Sequence, residues 1–272
     1  MNQLNKIITN KVIPQNEKLN YLIVIPCVNR DERNAVNIID ETFNGLTKSG
    51  MFESDINFKI ILFESGSNDV SYLDFIKEYQ EKYPNKIEVI LSNLALNGNT
   101  NTFRMFLYLS KMSFATIDFI IWLDDDIFVC KNFIKNADAW IKKCANFSLF
   151  SSLYVPYNSY QIGKFINFRH SKLHEFYGTC CTIFKPELIK YPLKEWFHKQ
   201  HNAAEFNPDV RFRESIRKYF FRINKICVSY PSLVQHMNIG SSIYKNKKKN
   251  KGHTTTTFVG EDIDPKFYEQ LL

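Results

Sequence analysis

The sequence predicts an α/β layered fold in which a mainly parallel central sheet is flanked by helices. Two observations carry this. Short apolar runs rich in β-branched residues alternate with stretches of helical spacing through the first half of the 272-residue chain, which is the pattern of successive βα units. Several of those runs end in polar tips, "PCVNRDE", "ESGSND" and "DDD", and a parallel sheet gathers such tips along one edge, where ligands bind. No repeat and no Pro- or Ser-rich linker interrupts the chain, so a single domain over 1–272 is expected, with 1–20 as an N-terminal extension and 244–272 as a basic loop and C-terminal tail.

The elements follow in order. "YLIVIP" (21–26) reads as a buried strand stopped by proline. In "NRDERNAVNIIDETFNGL", Val36, Ile39, Phe43 and Leu46 stand at helical spacing, with acidic residues toward the start. "FKIILFES" (58–65) is a second strand before the turn "GSND", and Tyr72 to Tyr83 reads as a helix. "KIEVILS" (86–92) is a third strand, residues 102–114 a mostly buried helix, and "FIIWL" (119–123) a fourth strand. Phe133, Ala137, Trp140, Ile141 and Cys144 mark another helix. The second half is less regular. "FYGTCCTIF" (176–184) reads as a strand entering a pocket and "NPDVRFRESIRKYF" (207–220) as a helix. "INKICVSYPSLVQHMNIGSS" (223–242) reads as a strand, a turn and a polar loop.

Composition narrows the function. Net charge is +7, from 35 basic and 28 acidic residues, and part of it sits in "KNKKKNK" at Lys245–Lys251. A solvated loop is the plain reading of that run; contact with anionic lipid, nucleic acid or a diphosphate is the other. The amino-terminal stretch has no apolar core of signal-peptide length, and no later stretch approaches the roughly 20 apolar residues of a membrane span. The six cysteines follow no disulfide or zinc spacing. A soluble cytoplasmic protein with reduced thiols is expected, with peripheral contact at the inner face of the membrane through Lys245–Lys251 as an added option.

"FIIWLDDDIFV" (119–129) places three consecutive carboxylates at the end of an apolar strand. Asp124, Asp125 and Asp126 repel one another, and a buried unpaired charge is costly. A hard divalent cation is their natural partner. Alternate residues of an extended segment point the same way, so Asp124 and Asp126 share a side. A metal that also holds a diphosphate would neutralise a nucleotide leaving group.

These stretches carry a resemblance. "WLDDDIFVCKNFI" resembles the acidic metal motif of GT-A glycosyltransferases, most closely that of the N-acetylglucosaminyltransferase IV family. "VIPCVNRDERNAVNIIDETFNGL" is similar to that family's opening strand and helix. "NTNTFRMFLYLSK" resembles the helix before its acidic motif, with Asn101 matching a family Asn. "YPSLVQHMNIGSS" resembles its Pro-Ser-Leu-x-Gln-His segment, the most specific of the four. The resemblance runs from about residue 21 to 243 and implies a GT-A type, Rossmann-like sheet. It also implies an enzyme moving GlcNAc, Gal or Glc from a UDP-sugar donor, with inversion, to a hydroxyl of a saccharide or glycolipid acceptor. In such enzymes the last carboxylate of the motif and a late histidine bind the metal. Here those are Asp126 and His236, a donor pair that suits Mn²⁺ (or Mg²⁺) better than Ca²⁺. Pro26, Cys27 and Val28 would line the uridine, and Arg30 would lie near a phosphate or ribose. Glu64 would offer an acceptor to uracil or ribose, and Asp124 and Asp125 would meet ribose and sugar hydroxyls.

Inversion needs a carboxylate base away from the metal ligands. Asp209 corresponds to the family's acid in a Pro-x-Asp motif, although here Pro208 directly precedes it; a helix cap is its other reading. Glu214 and Glu175 are the fallbacks; His174 reads as a surface residue or one serving the acceptor, and Tyr177 as a core residue or one stacking on a sugar face. The basic run would act as a lid over the diphosphate. The chain departs from the family at 146–206, where acceptor specificity is usually set, and it shows no membrane anchor like that of the animal enzymes. Three other readings remain. A sugar-1-phosphate nucleotidyltransferase needs a Gly-rich loop that "IPCVNRDERN" lacks. A transferase acting on nucleic acid would bind with steep salt dependence. A non-catalytic sugar- or nucleotide-binding module would not need an acid cluster, a late histidine and a separate base together.

Overall fold

The computed structural model describes residues 13–28, 35–144, 150–154, 168–172, 180–198, 208–219, 225–229, 231–237, 258 and 260–265. The strands are β1 Asn20–Cys27, β2 Asn57–Glu64, β3 Ile87–Ile90, β4 Phe119–Leu123, β5 Ile127–Val129, β6 Phe150–Ser152, β7 Phe168–Lys172, β8 Cys181–Phe184, β9 Lys225–Ser229 and β10 Val234–His236. The helices are α1 Ala35–Lys48, α2 Val70–Lys82, α3 Gly98–Lys111, α4 Phe133–Cys144, α5 Lys190–His198 and α6 Pro208–Tyr219, with a 3-10 turn at Pro186–Ile189.

One eight-stranded sheet runs in the order β3-β2-β1-β4-β8-β6-β9-β7, and β5 and β10 form a separate two-stranded ribbon. β3, β2, β1 and β4 are mutually parallel. β8 is antiparallel to both β4 and β6, β6 is parallel to β9, and β7 is antiparallel to β9. This is a Rossmann-like, mostly parallel sheet flanked by helices, as the GT-A resemblance implies. The chain steps from β1 outward to β2 and β3, then returns to place β4 on the other side of β1. That reversal opens a crevice beyond the carboxyl ends of β1 and β4.

Alternation within β1 divides the core. Tyr21, Ile23, Ile25 and Cys27 pack on the face covered by α1, α2 and α4, where Ile39, Phe43, Tyr72, Ile76, Phe133 and Trp140 are buried. Leu22 and Val24 pack on the opposite face with Met105, Phe106 and Leu109 of α3, Trp196 of α5 and Phe212 of α6. Each such fully buried side chain contributes about 1.5–3 kcal/mol. Because both faces are covered, β1 is an unbroken apolar run instead of an alternating one.

Several boundaries differ from the sequence reading, and two helix starts do so for a local reason. α2 starts at Val70 because Asp69 caps it, its carboxylate accepting from Tyr72 N. α3 starts four residues early, at Gly98, because Asn97 caps it by accepting from Thr100 N at 2.9 Å; the polar "GNTN" turn hid the helical period. The polar stretch ending at His236 includes β10, and "IFV" after the acid triplet is β5. The described part of α1 begins at Ala35, so the acids Asp31 and Glu32 lie outside the described residues. Among the described residues no helix is long and apolar enough to cross a membrane.

At the far end of the sheet a buried polar chain ties α4 to β1 and to the segment before it. Tyr21 OH donates to Asp138 Oδ1 at 2.8 Å, Lys142 Nζ lies 2.8 Å from Asp138 Oδ2, and Nζ also donates to Gln15 O at 2.9 Å. Removing one partner of a buried pair strands the other's charge, at a cost of about 3–5 kcal/mol. Lys142→Met should therefore lower the unfolding free energy by about that amount in a urea titration. A loss indistinguishable from surface substitutions would show that the pair is solvated in practice.

Candidate functional site

The site grows from the crevice between β1 and β4. The main chain leaves β4 at Leu123, and Asp124 N donates to Cys180 O at 3.0 Å, which carries the acid triplet past the strand end. Asp125 and Asp126 are only 6 % and 4 % exposed. Asp125 Oδ2 accepts from Val28 N at 3.0 Å, so the carboxylate bridges the crevice from the β4 side to the β1 tip. Asp126 is followed at once by β5, whose antiparallel pairing with β10 sets His236 opposite Ile127. Met237 N donates to Asp126 O at 2.9 Å. The result is an approach of 3.4 Å between His236 Nε2 and Asp126 Oδ2.

That oxygen and nitrogen are close enough to pair with each other or to reach one cation. Two donors each about 2.1 Å from one ion at a right angle stand about 3 Å apart. Among the described residues no group of three or more His, Cys, Asp and Glu side chains could hold a metal. A pair of protein donors suits an ion whose remaining positions are filled by phosphate oxygens and water, the usual arrangement for small hard cations in phosphate chemistry. It does not make an all-protein cage.

The β1 and β2 tips are stitched from behind by α3. Asn101 is fully buried and its Nδ2 donates to Cys27 O at 3.0 Å and to Phe63 O at 2.6 Å, while its Oδ1 is buried without a partner. One turn on, Arg104 Nη2 donates to Glu64 O at 2.5 Å and Ile90 O at 3.1 Å, which joins β2 to β3. Burial holds the Arg104 guanidinium below its usual range, partly opposed by Glu64. Glu64, 1 % exposed, accepts from Gly66 N at 2.7 Å and Ser67 N at 2.9 Å, so its carboxylate shapes the turn that leaves β2.

The site residues expected from sequence are therefore distributed as follows. Asp126 and His236 meet; Val28 and Asp125 meet; Pro26 is buried and Cys27 is sunk entirely in the core. Asn101 and Glu64 stand at the same edge, bonded to main chain. Asp209 lies in the first turn of α6, with its side chain outside the described part. Glu214 pairs with Arg211 at 3.2 Å. Arg30, His174, Glu175, Tyr177 and the lysines of the basic run Lys245–Lys251 lie outside the described residues. Sequence reasoning passed over Thr42, a buried α1 residue bonded to the acid segment. A threonine among Ile39, Phe43 and Leu46 was the available signal, because a hydroxyl on a core-facing stripe demands a partner. Burial pushes the Cys130 thiol up to about 12 and raises that of fully buried Cys181 as well.

Comparison with known proteins identifies the family. Residues 22–220 match the family model described as glycosyl transferase family 2. No curated protein sequence matches the chain. Among solved structures, one similar chain is 4-diphosphocytidyl-2C-methyl-D-erythritol synthase from Anaerococcus prevotii, with TM-score 0.48 and 15 % identity over 84 % of this chain and 96 % of that one. Another is the mannosyltransferase PcManGT from Pyrobaculum calidifontis in complex with GDP-Man and Mn²⁺, with TM-score 0.48 and 12 % identity over 79 % of this chain and 58 % of that one.

The turn after β2 offers a direct check of the edge. Gly66 has φ +89°, and a Cβ there would sit 2.1 Å from Leu94 O. Neither backbone can yield cheaply, because Leu96 N is bonded to Ser65 O at 2.6 Å. Gly66→Ala should cost about 1–3 kcal/mol from the backbone conformation alone, and more from the clash, read as a fall in denaturant midpoint. An unchanged midpoint would mean that the two loops are not braced against each other.

Proposed function

The chain belongs to glycosyl transferase family 2 and is a glycosyltransferase; on that premise we propose that it is a metal-dependent inverting enzyme. It moves GlcNAc, Gal or Glc from a UDP-sugar to a hydroxyl of a saccharide or glycolipid acceptor. The observation that carries this reading is the 3.4 Å approach of His236 to Asp126 at the mouth of the β1–β4 crevice. The finer kinship with the N-acetylglucosaminyltransferase IV family rests on the sequence motifs alone. A single domain working in the cytoplasm is part of the same proposal.

In this reading the nucleoside lies over the tip of β1 at Pro26–Val28, with Arg30 near a phosphate or ribose and Asp124 and Asp125 facing hydroxyls. Asp126 and His236 hold Mn²⁺ or Mg²⁺. That ion, when bound, neutralises charge building on the departing diphosphate. Asp209 takes the proton of the acceptor hydroxyl as its oxygen bonds to the anomeric carbon and the bond from that carbon to the diphosphate oxygen breaks.

The placement of α6 supports Asp209 in that role. Phe103, in the second turn of α3, packs on Trp196 at 5.6 Å, and Arg211 lies 5.3 Å over the Trp196 ring. Tyr191 meets Tyr219 at 5.0 Å. α5 and α6 are therefore antiparallel, and the first turn of α6 is at the α3 end that holds the strand tips. At about 1.5 Å per residue, Asp209 is within a few ångströms along the axis of Arg211.

Two outcomes follow. UDP with MnCl₂ should raise the thermal midpoint, by the equivalent of about 2.7 kcal/mol at a hundredfold excess over Kd, and Asp126→Ala should abolish the rise. No shift with UDP and any divalent ion would defeat the metal reading. Asp209→Asn should keep UDP binding and lose about 10²–10⁴-fold in transfer rate, measured as UDP release across a panel of UDP-sugars and acceptors. Undiminished transfer would move the base to another carboxylate, Glu214 first.

A further inference from the structure

The acid edge is braced by a side chain that the chemistry above does not use. Thr42 sits midway along α1 and is fully buried. A hydroxyl in such a place costs free energy unless it is paired. Threonines in helices commonly bond to the carbonyl one turn back, and Thr47 of the same helix does so, Oγ1 to Phe43 O at 2.9 Å. Thr42 reaches across to the acid segment instead. Its Oγ1 donates to Asp125 O at 2.8 Å and accepts from Ile127 N at 3.2 Å, with Ile127 O as a second acceptor at 3.2 Å.

The hydroxyl thus spans Asp126. Asp125 O belongs to the peptide just before Asp126, and Ile127 N to the peptide just after it. Asp126 O, in that second peptide, accepts from Met237 N. Both planes that set the Cα–Cβ direction of Asp126 are fixed, and that direction puts its carboxylate 3.4 Å from His236. We propose that Thr42 is a positioning residue that aims Asp126 at His236 and at the cation the two share. This inference rests on the metal reading of that pair.

The substitutions T42V and T42S separate the hydroxyl from the volume: valine matches the shape without the hydroxyl, and serine keeps the hydroxyl. T47V, which removes the other helical hydroxyl, controls for general loosening of α1. UDP affinity is titrated calorimetrically with and without MnCl₂, well below the unfolding midpoint. T42V should weaken the manganese-dependent affinity by about ten- to hundredfold, the usual effect of losing a group that orients a ligand. T42S and T47V should retain it, and UDP binding without metal should not change. In the metal-free protein, amide exchange at Ile127 and Met237 should accelerate in T42V, while Ile25 in the core stays protected. Should T42V not fold, T42A removes the same hydroxyl without adding volume. Wild-type affinity in T42V, equal loss in T42S, or unchanged exchange would each overturn the proposal. A wild-type protein whose UDP affinity ignores manganese would instead overturn the metal reading, and this inference with it. The two failures are told apart by the wild-type titration.

Discussion

The structure turns on the burial of two adjacent carboxylates, Asp125 and Asp126, at the mouth of the sheet. Removing even one ionised carboxylate from water costs several kcal/mol unless hydrogen bonds or charges replace the lost solvent. Main chain and imidazole supply part of that replacement here: Val28 N on Asp125 and His236 on Asp126. Each partner comes from a different part of the fold. Val28 directly follows the first strand, and His236 lies on a ribbon strand late in the chain. Neither partner stands in place unless the chain has folded around the acid segment.

That dependence explains what was legible in the sequence and what was not. β1, β2 and β4 were readable because a strand buried on both faces must be continuously apolar, and "YLIVIP", "FKIILF" and "FIIWL" are. β5 and β6 were not, since "IFV" and "FSS" are too short to show any period, and their pairing is decided by partners far along the chain. The same holds at the site. A triple Asp after an apolar strand announces an unusual edge by elementary electrostatics, but nothing local says that His236 will stand beside it. Only the likeness of "PSLVQH" to a known motif did. Asn101 and Glu64 stand at this edge through bonds to Cys27, Phe63, Gly66 and Ser67, and those bonds depend on strand register, which sequence does not show.

The two sides of the sheet also differ in how they are built. β3, β2, β1 and β4 with α1, α2 and α3 are successive βα units, in which β1–β2 and β2–β3 join strands consecutive in the chain while β1–β4 closes over the two units between them. They carry the crevice and its stitching by Asn101 and Arg104. β8, β6, β9 and β7 pair across long separations, and from that half come β10 and α6. The acid segment at the crevice mouth belongs to the first half.

The other half of the site comes from the late segment that carries His236. Leu233 N bonds Leu153 O, Cys130 N bonds Leu233 O and Met237 N bonds Asp126 O, so the segment 231–237 is tied to the acid edge on both sides of His236 and to Leu153 behind it. A ligand held by both Asp126 and His236 binds only the state in which that lacing is complete. By mass action it stabilises the docked arrangement over any in which the late segment has lifted. Ligand binding and the packing of the long-range half are then one equilibrium, and affinity for the ligand measures how completely the second half of the chain has closed on the first.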